Sequence, residues 1–144
     1  MYFTPRGKDQ REQQILDSKT YQKFLEIVIS GDKIEEFFHH SGIKRIAVAP
    51  NNHLAQCLVR VLKDTDIEVL CIMDKMCIKQ NNTSIYQTPI EPYVNNKLKE
   101  ADSVVITSNY YYNEIVDSLL EAQVSLKNII GLNTILFALE RLEK

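Results

Sequence analysis

The segment from Ile46 to Met73 constrains the fold more than any other part of the chain. It opens on a short apolar run, Ile46 to Ala49 (IAVA), continues with Leu54, Leu58, Val61 and Leu62 at helical spacing as far as Lys63, and closes on a second apolar run, Ile67 to Met73 (IEVLCIM). Short apolar runs of this kind, rich in branched residues, read as strands covered on both faces. Two of them joined by an amphipathic helix form the strand, helix, strand repeat that builds parallel sheets with a right-handed crossover. A layered α/β domain is the architecture that covers both faces of such a sheet.

The flanking sequence extends this pattern. Gln10 to Ile29 predicts a helix with Leu16, Phe24, Leu25 and Val28 on its apolar side and Asp and Lys residues on the other. Gly31 ends it, and Asp32 can cap a shorter helix carrying Ile34, Phe37 and Phe38, which Ser41 and Gly42 stop. Beyond the central unit, Lys75 to Thr83 is polar, Ile85 to Ile90 predicts a short strand near the sheet edge, and Pro89 and Pro92 bracket a turn. Tyr93 to Glu100 then has room for one or two helical turns. Ser103 to Thr107 (SVVIT) predicts a further strand; Tyr112, Ile115, Val116, Leu119 and Leu120 a helical face; Asn128 to Leu132 a last strand; and Ile135 to Leu142 a closing helix. The expected fold is a Rossmann-like three-layer α/β sandwich. Its mostly parallel sheet has about five strands in the order 3-2-1-4-5. Residues 1–42 form an N-terminal helical extension packed on the same domain, and residues 43–144 the Rossmann-like domain itself.

Composition narrows the function classes. Apolar residues make up 44% of the 144 positions and charged residues 25%, an ordinary globular balance that needs no disulfide or metal to hold it. The formal net charge is −2 with acids and bases interspersed, so no basic face is available to neutralise a row of phosphates, and no nucleic-acid partner is expected. Cys57, Cys71 and Cys77 lack the paired spacings of zinc or redox sites, which points to a reducing, cytoplasmic location and no metal. Met1 to Lys8 has no apolar core of the signal-peptide kind, and no apolar stretch is long enough to predict a membrane span.

In a doubly wound sheet, ligands bind outside the carboxyl ends of the strands, where the strand order reverses. That rule selects Pro50 to His53, Asp74 with its neighbours, and Ser108 to Tyr112. A dinucleotide site wants G-x-G-x-x-G after the first strand, and this chain has Pro50, Asn52 and Ala55 at those three positions. Proline removes an amide donor, and the Asn52 side chain stands where a phosphate should approach. The amides near His53 and Leu54 could still attract an anion, but Asn51 or Asn52 is a good N-cap that would satisfy them internally. Asp74 follows the second strand, where nucleotide-binding folds keep the acid that holds ribose hydroxyls. His53 suits a general base on pKa grounds, with a surface or capping role as the alternative. His39 and His40 complement the dipole of the second helix.

Tyr110, Tyr111 and Tyr112 cannot all face one core, because successive helical residues point about a hundred degrees apart. One exposed tyrosine at the crevice could stack on a ligand or anchor a protein contact. Asn109 before them is a ready helix cap. Cys71 reads as core, and nothing next to Cys57 or Cys77 in sequence marks an activated thiol. The candidate ligand-contact set is therefore Asn51, Asn52, His53, Asp74, Asn109 and Tyr110, with no catalytic residue assigned.

Tyr21 to Ser30 (YQKFLEIVIS), Ile34 to His40 (IEEFFHH), Ile43 to Ala49 (IKRIAVA), Ile67 to Lys75 (IEVLCIMDK) and Val104 to Ile115 (VVITSNYYYNEI) together resemble the small Rossmann-like domain found in bacterial surface-polysaccharide loci. In that family the domain is commonly attached to glycosyltransferases or related sugar-transfer enzymes. Its members typically keep a glycine-rich turn after the first strand, from which this chain departs, while Asp74 and Tyr110 to Tyr112 match the pattern. The chain is also similar to the N-terminal domain of sugar O-acyltransferases, which holds a nucleotide sugar, but it lacks their β-helix repeats. The resemblance implies a non-catalytic accessory or regulatory module of surface-polysaccharide biosynthesis with a degenerate phosphate-binding loop, and a glycosyltransferase as its partner or fused neighbour. The alternative is a nucleotide-sugar-binding protein or small sugar-modifying enzyme using the crevice, with a nucleotide or nucleotide sugar as ligand. A third reading is a homodimer built on the N-terminal helices and the tyrosines.

Overall fold

The computed structural model describes residues 10–75 and 84–142. The polar start of the chain, Cys77 and most of the polar stretch from Lys75 to Thr83 lie outside the described residues. In chain order the elements are α1 (Gln10–Ile29), α2 (Glu35–Ser41), β1 (Arg45–Ala49), α3 (His53–Leu62), β2 (Glu68–Met73), β3 (Ser84–Ile85), β4 (Thr88–Glu91), β5 (Ser103–Ile106), α4 (Tyr112–Glu121), β6 (Ile129–Gly131) and α5 (Leu132–Leu142). Single 3-10 turns at Asn96–Glu100 and Leu126–Asn128 precede β5 and β6.

Five strands run parallel in the order β4-β2-β1-β5-β6, the expected 3-2-1-4-5 arrangement. The two-residue β3 adds antiparallel to the outer side of β4. The predicted single strand from Ile85 to Ile90 is thus a hairpin, reversed at Tyr86 (φ 49°) and Gln87 (φ 72°). Two central residues with positive φ give the turn whose twist matches that of the flanking strands. Its usual sequence marker is Asn-Gly or Asp-Gly, and Tyr-Gln conceals it.

Successive strand residues face opposite sides, and the apolar runs are long enough to serve both. On one side Ile46, Val48, Ile72 and Val105 join Leu54, Ala55, Leu58 and Leu62 of α3, Ile135, Leu136 and Leu139 of α5, and Phe24, Ile27, Ile34 and Phe38 from the N-terminal region. On the other, Ala47, Ala49, Cys71, Met73, Val104 and Ile106 pack against Ile115, Val116 and Leu119 of α4, with Tyr93 and Leu98 alongside. The chain moves one way along the sheet from β1 to β2 and the other way from β5 to β6. Right-handed crossovers therefore put α3 and α4 on opposite faces. At the amino ends of the strands, the Asp102 carboxylate accepts from the backbone N–H groups of Lys44 (2.9 Å) and Arg45 (3.0 Å), which hold its pKa below the ordinary value.

Two expectations about the N-terminal helices need correction. In α1 the expected Phe24 is buried, together with Thr20 and Ile27, whereas Leu16, Leu25 and Val28 are exposed. The inward stripe runs through positions 17, 20, 24 and 27, so Asp17 lies on the domain side of the helix rather than among its solvated acids. Asp32 does not cap α2. A turn through Ile34 opens that helix, with Glu36 N–H donating to Lys33 and Phe37 N–H to Ile34, and no side-chain cap is formed.

Candidate functional site

The crevice opens where the sheet order reverses, between the carboxyl ends of β1 and β5. It is a cleft of about 840 Å³ lined by Pro50, Asn51, Asn52, Asp74, Lys75 and Tyr93 on one side, and by Asp17, Ser108, Tyr110, Tyr111, Glu114 and Asp117 among others on the other. The residues selected by the sequence rule after β1, β2 and β5 thus border one cleft.

After β1, the Asn52 side chain caps α3 by accepting from Ala55 N–H at 2.7 Å. Its amide nitrogen donates to the Thr107 carbonyl at 3.1 Å, and the Thr107 hydroxyl donates back to Asn52 Oδ1 at 3.1 Å. One asparagine thus joins the loop after β1 to the end of β5 while consuming a donor that a phosphate would otherwise use. Beside it, Asn51 N–H donates to the Asp74 carboxylate at 3.0 Å, and Gln56 donates to Asn51 Oδ1 at 3.2 Å. Asp74 tethers the first loop here.

The loop after β5 is closed the same way from a different direction. Asp17, reaching in from α1, accepts from the backbone N–H groups of Asn109 (2.5 Å) and Tyr110 (3.2 Å), with the Ser108 hydroxyl at 3.5 Å. Tyr111 N–H donates to the Ser108 hydroxyl at 3.1 Å. Asn109 does not cap α4 as the sequence suggests: its amide donates to Thr20 on α1 at 3.0 Å, and α4 begins without a side-chain cap. A carboxylate on consecutive backbone N–H groups is the arrangement an anionic ligand would make, supplied here by the chain itself.

Only Tyr112 belongs to α4; Tyr110 and Tyr111 sit in the turn before it, so helical spacing does not set their directions. Tyr111 is half exposed, Tyr112 packs on the α4 side of the sheet, and Tyr110 meets Tyr111 edge to face with ring centroids 4.6 Å apart. Burial, and then the nearby Asp74 charge, raise the Tyr93 phenol well above its ordinary pKa, so it stays protonated at the cleft wall. Among the described residues, four carboxylates, Asp17, Asp74, Glu114 and Asp117, and one amine, Lys75, line the cleft.

Of the six candidate residues, Asn51, Asn52, Asp74 and Tyr110 line the cleft, while His53 and Asn109 turn toward α1. The Tyr21 hydroxyl lies 2.8 Å from His53 Nδ1, the two rings stack at 5.7 Å, and Cys57 Sγ is 3.9 Å from His53 Nε2. The absence of a marker next to Cys57 in sequence is thus offset by partners that α1 and the preceding helical turn bring to it. His39 pairs with Asp66 at 2.6 Å in addition to standing at the end of α2. Sequence reasoning missed Asp17, Tyr93, Glu114 and Asp117. For Asp17 the usable signal was its place on the stripe shared with Thr20, Phe24 and Ile27.

Fold and site together define a doubly wound α/β module with an acidic, tyrosine-walled cleft at its switch point. No family model, curated protein or solved structure matches the chain, so these comparisons provide no link to glycosyltransferases or polysaccharide biosynthesis. Among the described residues, no helix is long and apolar enough to cross a membrane.

Proposed function

We propose that this chain is a non-catalytic accessory or regulatory α/β module that acts through protein contacts, with a switch-point crevice that does not take up the phosphates of a dinucleotide. The observation that carries the reading is that backbone donors of both crevice loops are occupied from within: Ala55 N–H by Asn52, and the N–H groups of Asn109 and Tyr110 by Asp17. A phosphate would have to displace these acceptors to reach the backbone N–H groups. Extending the reading to bacterial surface-polysaccharide assembly, with a glycosyltransferase as the partner, rests on the sequence resemblance alone.

A second reading, a nucleotide-sugar-binding protein, is favoured by one feature. The cleft has the volume of a small-molecule site, and Tyr93, Tyr110 and Tyr111 offer rings to a base or sugar. Thermal unfolding of the purified chain against UDP-, GDP-, CDP- and dTDP-sugars, NAD and NADP separates the two. A ligand at a hundred times its dissociation constant adds about 2.7 kcal/mol, or roughly 5 to 10 °C in Tm for a domain of this size. The accessory-module reading expects no shift with any of them; a shift confined to one class of sugar nucleotide would replace it with the second.

A further inference from the structure

Cys57 and His53 stand four positions apart on α3, so they share one face of the helix. His53 Nε2 is 3.9 Å from the Cys57 sulfur, and the Tyr21 hydroxyl holds the opposite ring nitrogen at 2.8 Å, with the phenol stacked on the imidazole at an interplanar angle of 16°. Desolvation and then the Cys57 sulfur raise the Tyr21 phenol above its ordinary pKa, which keeps its hydroxyl protonated beside the pair. A nucleophile within reach of a base, with the base oriented by a third group, is the arrangement that activates cysteine for attack. The group lies outside the switch-point cleft, and Cys57 is only partly buried.

We propose that Cys57 is a covalent modification site that exchanges with low-molecular-weight disulfides, with His53 as the proton acceptor and Tyr21 as the positioning residue. This inference does not depend on the accessory-module reading. In the reactive arrangement His53 Nδ1–H donates to the Tyr21 oxygen, leaving Nε2 free to accept the Cys57 proton. The thiolate attacks one sulfur of the disulfide, the S–S bond breaks, and the departing thiolate takes the proton from the imidazolium. One thiol is consumed and one released, with the Cys57 sulfur oxidised and the leaving sulfur reduced. Cys71 supplies an internal contrast: it is fully buried, and burial pushes its pKa up to about 12.

The test uses the 144-residue chain carrying Cys77→Ser, incubated at neutral pH with excess oxidised glutathione and followed by intact and peptide mass spectrometry. One adduct is expected, on Cys57, with Cys71 modified only once denaturant is added. His53→Gln should form the adduct at least about tenfold more slowly, a floor set below the roughly hundredfold lower end of what a general base contributes, and Tyr21→Phe should fall between His53→Gln and the parent. An unchanged rate in His53→Gln, or modification of Cys71 at a comparable rate in the folded chain, would overturn the proposal. If circular dichroism shows that His53→Gln does not fold, Tyr21→Phe decides: a slower rate supports the proposal and an unchanged one rejects it.

Discussion

The carboxylate of Asp17 accepts a hydrogen bond from the backbone N–H of Tyr110 at 3.2 Å, although the two residues are 93 positions apart. The same carboxylate accepts from the neighbouring amide of Asn109, so an N-terminal helix that a minimal doubly wound domain does not need closes the loop after β5. Through that contact α1 is part of the switch point as well as of the core.

Removing this acceptor leaves partly buried amides without a partner. Asp17→Ala is expected to lower stability by about 1–3 kcal/mol, the usual range for orphaning donors that faced a charge. Asp17→Asn, which keeps one acceptor oxygen, should cost less. Urea unfolding at neutral pH measures both; midpoints equal to that of the parent chain would show that the contact contributes nothing.

Asn52 does two things that a single substitution can separate. Asn52→Ala loses the α3 cap and the bond to the Thr107 carbonyl and should cost about 1–2 kcal/mol. Asn52→Asp keeps a good cap but has no amide to donate to Thr107, so its unfolding midpoint is expected to fall between those of Asn52→Ala and the parent.

The pair of His39 and Asp66 gives stability a pH dependence of known sign. The hydrogen bond to Asp66 raises the His39 pKa above 6.5, and the same bond lowers that of Asp66 below 3.8. A raised histidine contributes fully below its unfolded pKa and loses that contribution as pH rises through the folded value. A lowered carboxylate contributes above its unfolded pKa and loses it as pH falls through the folded value. The pair therefore stabilises most between 3.8 and 6.5, and fades on either side. His39→Gln should be less stable than the parent in chemical denaturation at about pH 5 and converge with it at about pH 8. A constant difference across that range would contradict the assignment, and added salt should shrink the gap because both side chains are exposed.

The layered architecture was legible because β1, β2 and β5 are covered on both faces and carry that demand openly as IAVA, IEVLCIM and SVVIT. The Tyr86–Gln87 reversal was not, since neither residue is a usual bearer of positive φ and the surrounding hairpin imposes it. In the site, Asn52 could be read as a cap from its place between a strand and a helical face. Asp17 could not be paired with Asn109 and Tyr110, because that contact depends on how α1 docks, and of the four residues read as the apolar face only Phe24 marks its inward side. Leu16, Leu25 and Val28 drew the apolar face around the helix from where Thr20, Phe24 and Ile27 are buried. His53 and Cys57 shared a face from the start, but their orienting partner, Tyr21, comes from the same docking.

The most direct test of the central claim is an amide NMR titration of the chain with NAD and with a UDP-sugar, following the backbone resonances of Asn51, Ala55, Asn109 and Tyr110. With Asp74, Asn52 and Asp17 already holding these N–H groups, the four resonances are predicted to stay in place as either ligand is added. Saturable movement of Ala55, Asn109 and Tyr110 together would mean that a phosphate displaces the internal acceptors, and that the crevice is a working nucleotide site.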